Sequence, residues 1–152
     1  MCRLDLTYER WKIGDVAKVE RARGTEYPAG TICIRVSAAK RSNLPEQFRL
    51  LTEPEVLNGD SVVICPRDIE PAYLCEVLNM EAEEWRIRYT GGMINIPMDA
   101  FDYLYVNVHQ SRETRQYMTD VARRIDGLVK EVEERIQEEK DLKDYMLKNM
   151  MC

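Results

Sequence analysis

The chain has 152 residues, of which 45% are apolar and 32% charged, and its formal net charge is −5. That is enough apolar material for one compact domain plus an appendage, and the negative balance excludes a generic polyanion binder. There is no run of about 18 apolar residues, and Met1–Arg10 is too charged for a signal peptide, so the expectation is a cytoplasmic protein with no membrane association.

The expected fold class is α+β: a small domain of short strands and helices over residues 1–110, followed by one long helix over 111–152. In chain order, Trp11-Lys-Ile-Gly-Asp-Val-Ala-Lys-Val19 reads as a strand entering the domain. Ile32–Val36 and Val62–Cys65 are β-branched runs of the buried-strand type. Asn58-Gly59-Asp60, just before the second run, is expected to supply the positive-φ residues of a tight turn. Glu70–Asn79 reads as a short helix, with Pro71 in its first turn and Leu74, Val77 and Leu78 on one apolar face. Trp85, Ile87 and Tyr89 alternate with Arg86 and Arg88, the pattern of a half-buried strand, and Gly91-Gly92 then allows a reversal into Ile94 and Ile96.

After residue 110 the period changes. Arg112–Asn149 holds neither proline nor a turn cluster, and helix formers dominate. With Met118 at position a of a heptad, Met118, Val121, Ile125, Leu128 and Val132 fill consecutive a/d sites. Arg135 and Glu139 interrupt the series, and Leu142 and Met146 resume it. Gly127 falls at an outer position. A helix of this span is about 57 Å long at 1.5 Å per residue, longer than a domain of this size is wide, so part of its stripe needs a partner. Dense alternating charge over Lys130–Asp141 favours a narrow seam in a coiled-coil-like pair over a helix folded back on its own domain.

Catalytic chemistry finds little support. The five cysteines, Cys2, Cys33, Cys65, Cys75 and Cys152, are scattered and form no C-x-x-C pair, so they read as small hydrophobes in a reduced protein. His109 is the single histidine and stands next to the helix boundary, so neither a nucleophilic triad nor a set of convergent metal ligands is expected. No P-loop or G-x-G-x-x-G is present, so no nucleotide or other cofactor is expected.

The charge is unevenly distributed. Lys18, Arg21, Arg23, Arg35, Lys40 and Arg41 against Glu20 and Glu26 give residues 18–41 a net charge of +4, whereas residues 53–84 hold nine carboxylates and one cation, Arg67. Clustered Lys and Arg can neutralise phosphates, and Arg is the commonest reader of guanine edges. An ordinary solvated surface is the competing reading.

Several segments, in this order, resemble the target-recognition domain and helix of type I restriction–modification specificity subunits. Trp11–Val19 is similar to that family's W-x-L-G-D-I-A entry. Asp60-Ser-Val-Val-Ile-Cys-Pro-Arg-Asp-Ile-Glu-Pro-Ala-Tyr-Leu-Cys-Glu-Val-Leu-Asn79 is similar to its strand, proline and Y-L-x-x-x-L-N helix. Gly91–Ile96, Phe101 and Tyr105–Val108 resemble its glycine turn, following helix and final strand. Glu113–Gln116 stands where the long helix usually opens, and Leu142–Met151 resembles its L-K-K-x-L-L-x-x-M-F ending. The family's P-L-P-P-L before the helix is replaced by Asn107-Val-His-Gln110, and the middle section with its G-x-x-G loop is missing.

The resemblance implies a shortened half-subunit without catalytic residues, because methyl transfer and strand cleavage belong to other subunits of such systems. It implies double-stranded DNA as a partner, and the charge map assigns the contact to Lys18, Arg21, Arg23, Lys40 and Arg41 with Arg86 and Arg88 from the outer face of their strand. It further implies a half-subunit docked on a methyltransferase subunit, and the heptad stripe of Met118, Val121, Ile125, Leu128, Val132, Leu142 and Met146 is the expected homodimer interface. The alternative is a protein-interaction module of the same fold that has lost sequence reading and modulates a methyltransferase.

Overall fold

The structure, a computed structural model, describes residues 3–37, 47–90 and 95–151. The chain forms two compact units, Met1–Gln116 and Tyr117–Cys152. Its elements are β1 (Tyr8–Lys12), α1 (Ile13–Val16), β2 (Ala17–Arg21), β3 (Thr25–Tyr27), β4 (Ile32–Arg35), β5 (Arg49–Leu50), β6 (Glu55–Leu57), β7 (Ser61–Pro66), α2 (Pro71–Thr90), a 3-10 helix (Met98–Tyr103), β8 (Tyr105–His109) and α3 (Arg112–Met150). This is an α+β fold with a long C-terminal helix.

The centre of the first unit is an antiparallel sheet of order β2-β7-β4-β5. Side chains alternate across a strand, and here both faces are covered. Ile32, Ile34, Val62 and Ile64 are essentially inaccessible on one side, while Cys33 and Val63 join Ala22, Tyr27, Leu51 and Leu57 in a cluster on the other. That two-sided burial explains why β4 and β7 read as continuous apolar runs instead of alternating ones. The antiparallel ladders β1–β8 and β3–β6 complete the strands.

The entry segment differs from the expected single strand. Ile13 is buried and donates its N–H to Leu104 O at 2.9 Å, while Asp15 Oδ2 accepts the Lys12 N–H at 3.3 Å. One helical turn therefore separates β1 from β2 and sends the chain from one sheet to another. The turn at Asn58–Ser61 is present but needs no positive φ. Asn58 Oδ1 accepts the Asp60 N–H and Asn58 O accepts the Ser61 N–H, both at 3.1 Å, a side-chain-closed turn open to ordinary residues. Positive φ occurs instead at Gly24, Gly30 and Asp68.

The largest correction concerns Trp85–Tyr89, which is helix and not strand. The short helix expected over Glu70–Asn79 continues to Thr90. Nothing in Met80–Glu84 breaks it, and Trp85 falls on the face that already carries Leu74, Leu78 and Ala82, all buried. Ile87, which the strand reading half-buries, is 71% exposed. The Trp85 indole donates to Ala100 O at 2.7 Å and its ring lies 5.0 Å from that of Phe101. Gly91, Gly92 and Ile94 lie outside the described residues. Ile96 is buried and donates its N–H to Val36 O at 2.8 Å, but it belongs to irregular chain ahead of the 3-10 helix.

The helix expected over Arg112–Asn149 is found as α3, Arg112–Met150. Its first turn is held within the first unit: Arg115 donates to both Glu70 oxygens at 2.9 and 3.3 Å and to the carbonyls of His109 and Gln110 at 2.8 and 3.0 Å. In the second unit every residue from 123 to 151 is exposed. Ile125, Leu128, Val132, Leu142 and Met146 are each more than half exposed, while Met118 and Val121 are partly covered.

Candidate nucleic-acid interface

The cations singled out by sequence are placed in two groups. Lys18 and Arg21 lie on β2, and Arg23 on the turn after it, where its N–H donates to the Tyr27 hydroxyl at 3.1 Å. Glu20 sits between them, 3.4 Å from Lys18 Nζ and 3.7 Å from Arg23. Arg21 Nε donates to Gly59 O at 2.8 Å. These are exposed, screened interactions, worth about 0–1 kcal/mol each, so a polyanion can displace them. Lys40 and Arg41 lie outside the described residues.

Arg86 and Arg88 are on α2, and not on a strand's outer face. Arg88 pairs with Glu84 one turn earlier at 2.8 Å. It shares a cleft of about 180 Å³ with Arg10, Glu81, Tyr103 and Tyr105. Arg10 lies 3.6 Å from Glu81, donates to Asn107 Oδ1 at 3.1 Å and stands 5.4 Å from the Tyr105 ring centroid. Tyr89 stacks on Tyr103 with centroids 4.9 Å apart. Tyr103 and Tyr105 also line a second cleft, of about 610 Å³, with Lys12, Lys18 and Arg67, together with Asp15 and Asp102. The two tyrosines thus join the Arg88 group to the Lys18 group in one band of cations, carboxylates and aromatic rings.

Sequence reasoning missed Lys12, Arg67, Tyr103 and Tyr105. Arg67 carried a signal, as the one cation among the carboxylates of residues 53–84. The fold takes it out of that stretch and sets it beside Lys18.

Other titratable groups of the described residues are shifted by burial. Burial raises the thiols of Cys33, Cys65 and Cys75, the last to about 12, which makes them poor nucleophiles. The Tyr73 hydroxyl lies 2.8 Å from His109 Nδ1 and accepts the His109 N–H at 2.8 Å. Its own pKa is raised by burial, and the pair braces the end of β8. Among the described residues no three His, Cys, Asp or Glu side chains gather as metal ligands.

No protein-family model and no curated protein matches the sequence. Solved structures do match in fold. One is the S subunit of a type I restriction–modification system from M. genitalium (TM-score 0.65, 10% identity, 86% of this chain and 42% of that one). A second comes from a structure addressing complex assembly and conformational transition of the type I R-M system (0.63, 11%, 86% and 41%). A third is the HsdS subunit from Thermoanaerobacter tengcongensis (0.57, 10%, 84% and 39%). This chain spans about two-fifths of the length of each. The arrangement of short strands, α2 and long helix is therefore that of type I specificity subunits.

Proposed function

We propose, with that shared fold as the premise, that the chain is a non-catalytic DNA-recognition subunit of the type I restriction–modification kind. It acts as a half-subunit that pairs with a second copy through α3 and docks on a methyltransferase subunit, using neither S-adenosylmethionine nor ATP itself. The observation that carries the reading is the likeness to S subunits over 86% of this chain, long helix included. The exposed stripe of Ile125, Leu128 and Val132 supports the pairing, since a surface helix normally hides such a face. The exposed cations and tyrosines of that band support the DNA contact.

The test has two parts. Light scattering should give a dimer, and Leu128→Asp with Val132→Asp should split it by burying charge in the seam. Gel shift with duplex DNA should show weak, salt-sensitive binding that strengthens when a methyltransferase encloses the duplex. A monomer at high concentration would remove the half-subunit model.

One observation favours the second reading, an interaction module that no longer reads DNA and modulates a methyltransferase. Lys18 and Arg23 are already matched by Glu20, and Arg21 by a backbone carbonyl. Duplex affinity unchanged by Arg21→Ala with Arg23→Ala, in the presence of the methyltransferase, would put that reading first.

A further inference from the structure

A cation already committed to a protein group is a poorer contact for a ligand than a free one, and the cations of the first unit differ in this respect. Arg10, Lys18, Arg23, Arg49 and Arg88 each have a carboxylate partner. Lys12 and Arg67 are exposed and have no ion-pair partner among the described residues. The fold brings these two, with Lys18, into the cleft of about 610 Å³. Asp15 and Asp102 share its lining, and Asp15 accepts the Lys12 N–H.

The backbone at Arg67 is unusual as well. Its N–H donates to Val16 O at 2.8 Å, and the next residue, Asp68, has φ 51°, the one non-glycine in the left-handed region among the described residues. Aspartate tolerates that region better than most residues but seldom adopts it. Such conformations persist where their surroundings hold them, and they concentrate at ligand sites. The turn therefore presents a free guanidinium from a fixed backbone, and guanidinium geometry matches two phosphate oxygens at once.

We infer that the cleft between α1, β2 and the 3-10 helix is a phosphate subsite for a phosphodiester backbone. Arg67 and Lys12 are its principal contacts, Lys18 supports them, and Tyr103 and Tyr105 form its wall. The inference rests on the DNA reading for the source of the phosphate, though not for the chemistry of the site.

The test uses the full chain with a fluorescent duplex of about 20 base pairs, titrated between about 50 and 200 mM salt, and inorganic pyrophosphate followed by NMR. Arg67→Ala and Lys12→Ala should each weaken duplex binding by about three- to tenfold and flatten the log–log salt slope by about 0.9. Arg67→Lys should keep the slope. Pyrophosphate should shift the amides of Arg67 and Asp68 in the parent chain and not in Arg67→Ala, with circular dichroism checking that each variant is folded. Duplex binding with affinity and slope unchanged in both alanine variants overturns the subsite while leaving the DNA reading intact. No duplex binding, but pyrophosphate held at Arg67, keeps the subsite and removes DNA as its source. Neither ligand at Arg67 overturns the inference outright.

Discussion

Trp85 shows how much one side chain can decide. It is 4% exposed, donates to Ala100 O and meets both Phe48 and Phe101. Trp85→Ala should cost about 3–5 kcal/mol, as other large aromatic truncations do, and denaturant unfolding measures it. Trp85→Phe keeps most of the volume but leaves Ala100 O without its donor, and should fall between. Glu70 is a second such point. Burial by itself would raise its carboxyl, but the Arg115 hydrogen bonds and the charges of Arg115 and Arg112 outweigh it and hold the pKa below the ordinary value. A carboxylate depressed in the folded state stabilises above its unfolded pKa and loses that contribution as pH falls through the folded value. Stability should therefore drop below about pH 4.5, and Arg115→Ala should shrink this acid-dependent part while lowering neutral stability by about 1–2 kcal/mol. Thermal melts from pH 3 to 7 compare the two proteins.

Among the elements, α2 and α3 were unequally legible. α3 announces itself over some forty residues without a breaker, and its bounds emerge from the sequence within a residue. α2 does not, because Trp85-Arg-Ile-Arg-Tyr89 fits two periods: Trp85 and Tyr89 lie two steps apart on one strand face and also one turn apart on a helix. What decides between them is tertiary, since Trp85 finds Phe101 and Ala100 O on the 3-10 helix. β4 and β7 were legible because cover on both faces leaves no polar position to blur the run. α3 also supports two predictions. Gly127 is exposed and a Cβ there meets nothing within 4 Å, so Gly127→Ala should stabilise the helix by about 1 kcal/mol, seen as a higher melting temperature. Residues 131–141 hold Glu131, Glu133, Glu134, Glu138, Glu139 and Asp141 against Arg135 and Lys140. A parallel pair would set this stretch against itself, whereas an antiparallel pair centred between Leu128 and Val132 brings Glu138 towards Arg124 of the second copy. Spin labels on Asp144→Cys, with Cys2 and Cys152 replaced by serine, should then lie about 40 Å apart at 1.5 Å per residue. A separation under about 25 Å would mean parallel helices.

At the scale of the whole molecule, net charge conceals how unevenly the charges are placed. An overall −5 coexists with a band running from Arg88 and Arg10 through Tyr103 and Tyr105 to Lys12, Lys18 and Arg67. Two of its residues were singled out from the sequence: Lys18, through the surplus of cations along residues 18–41, and Arg88, on a stretch read as strand that is helix. The rest were not, because Lys12, Arg67 and Tyr105 come from separate stretches and meet only once β1 pairs with β8 and β7 with β2. That same pairing of β1 with β8 sets Lys12 opposite Tyr105 and Tyr8 opposite His109, and Gln110 donates its N–H to Thr7 O at 3.0 Å. The chain thus enters and leaves this folded body at a single doorway. A body with adjoining ends can be spliced into a longer polypeptide, or exchanged for another of the same build, without prying its host apart. Residues 7 to 110 should accordingly travel as a cassette, and a graft joined at its two borders should keep its fold in a new host chain, which circular dichroism would check.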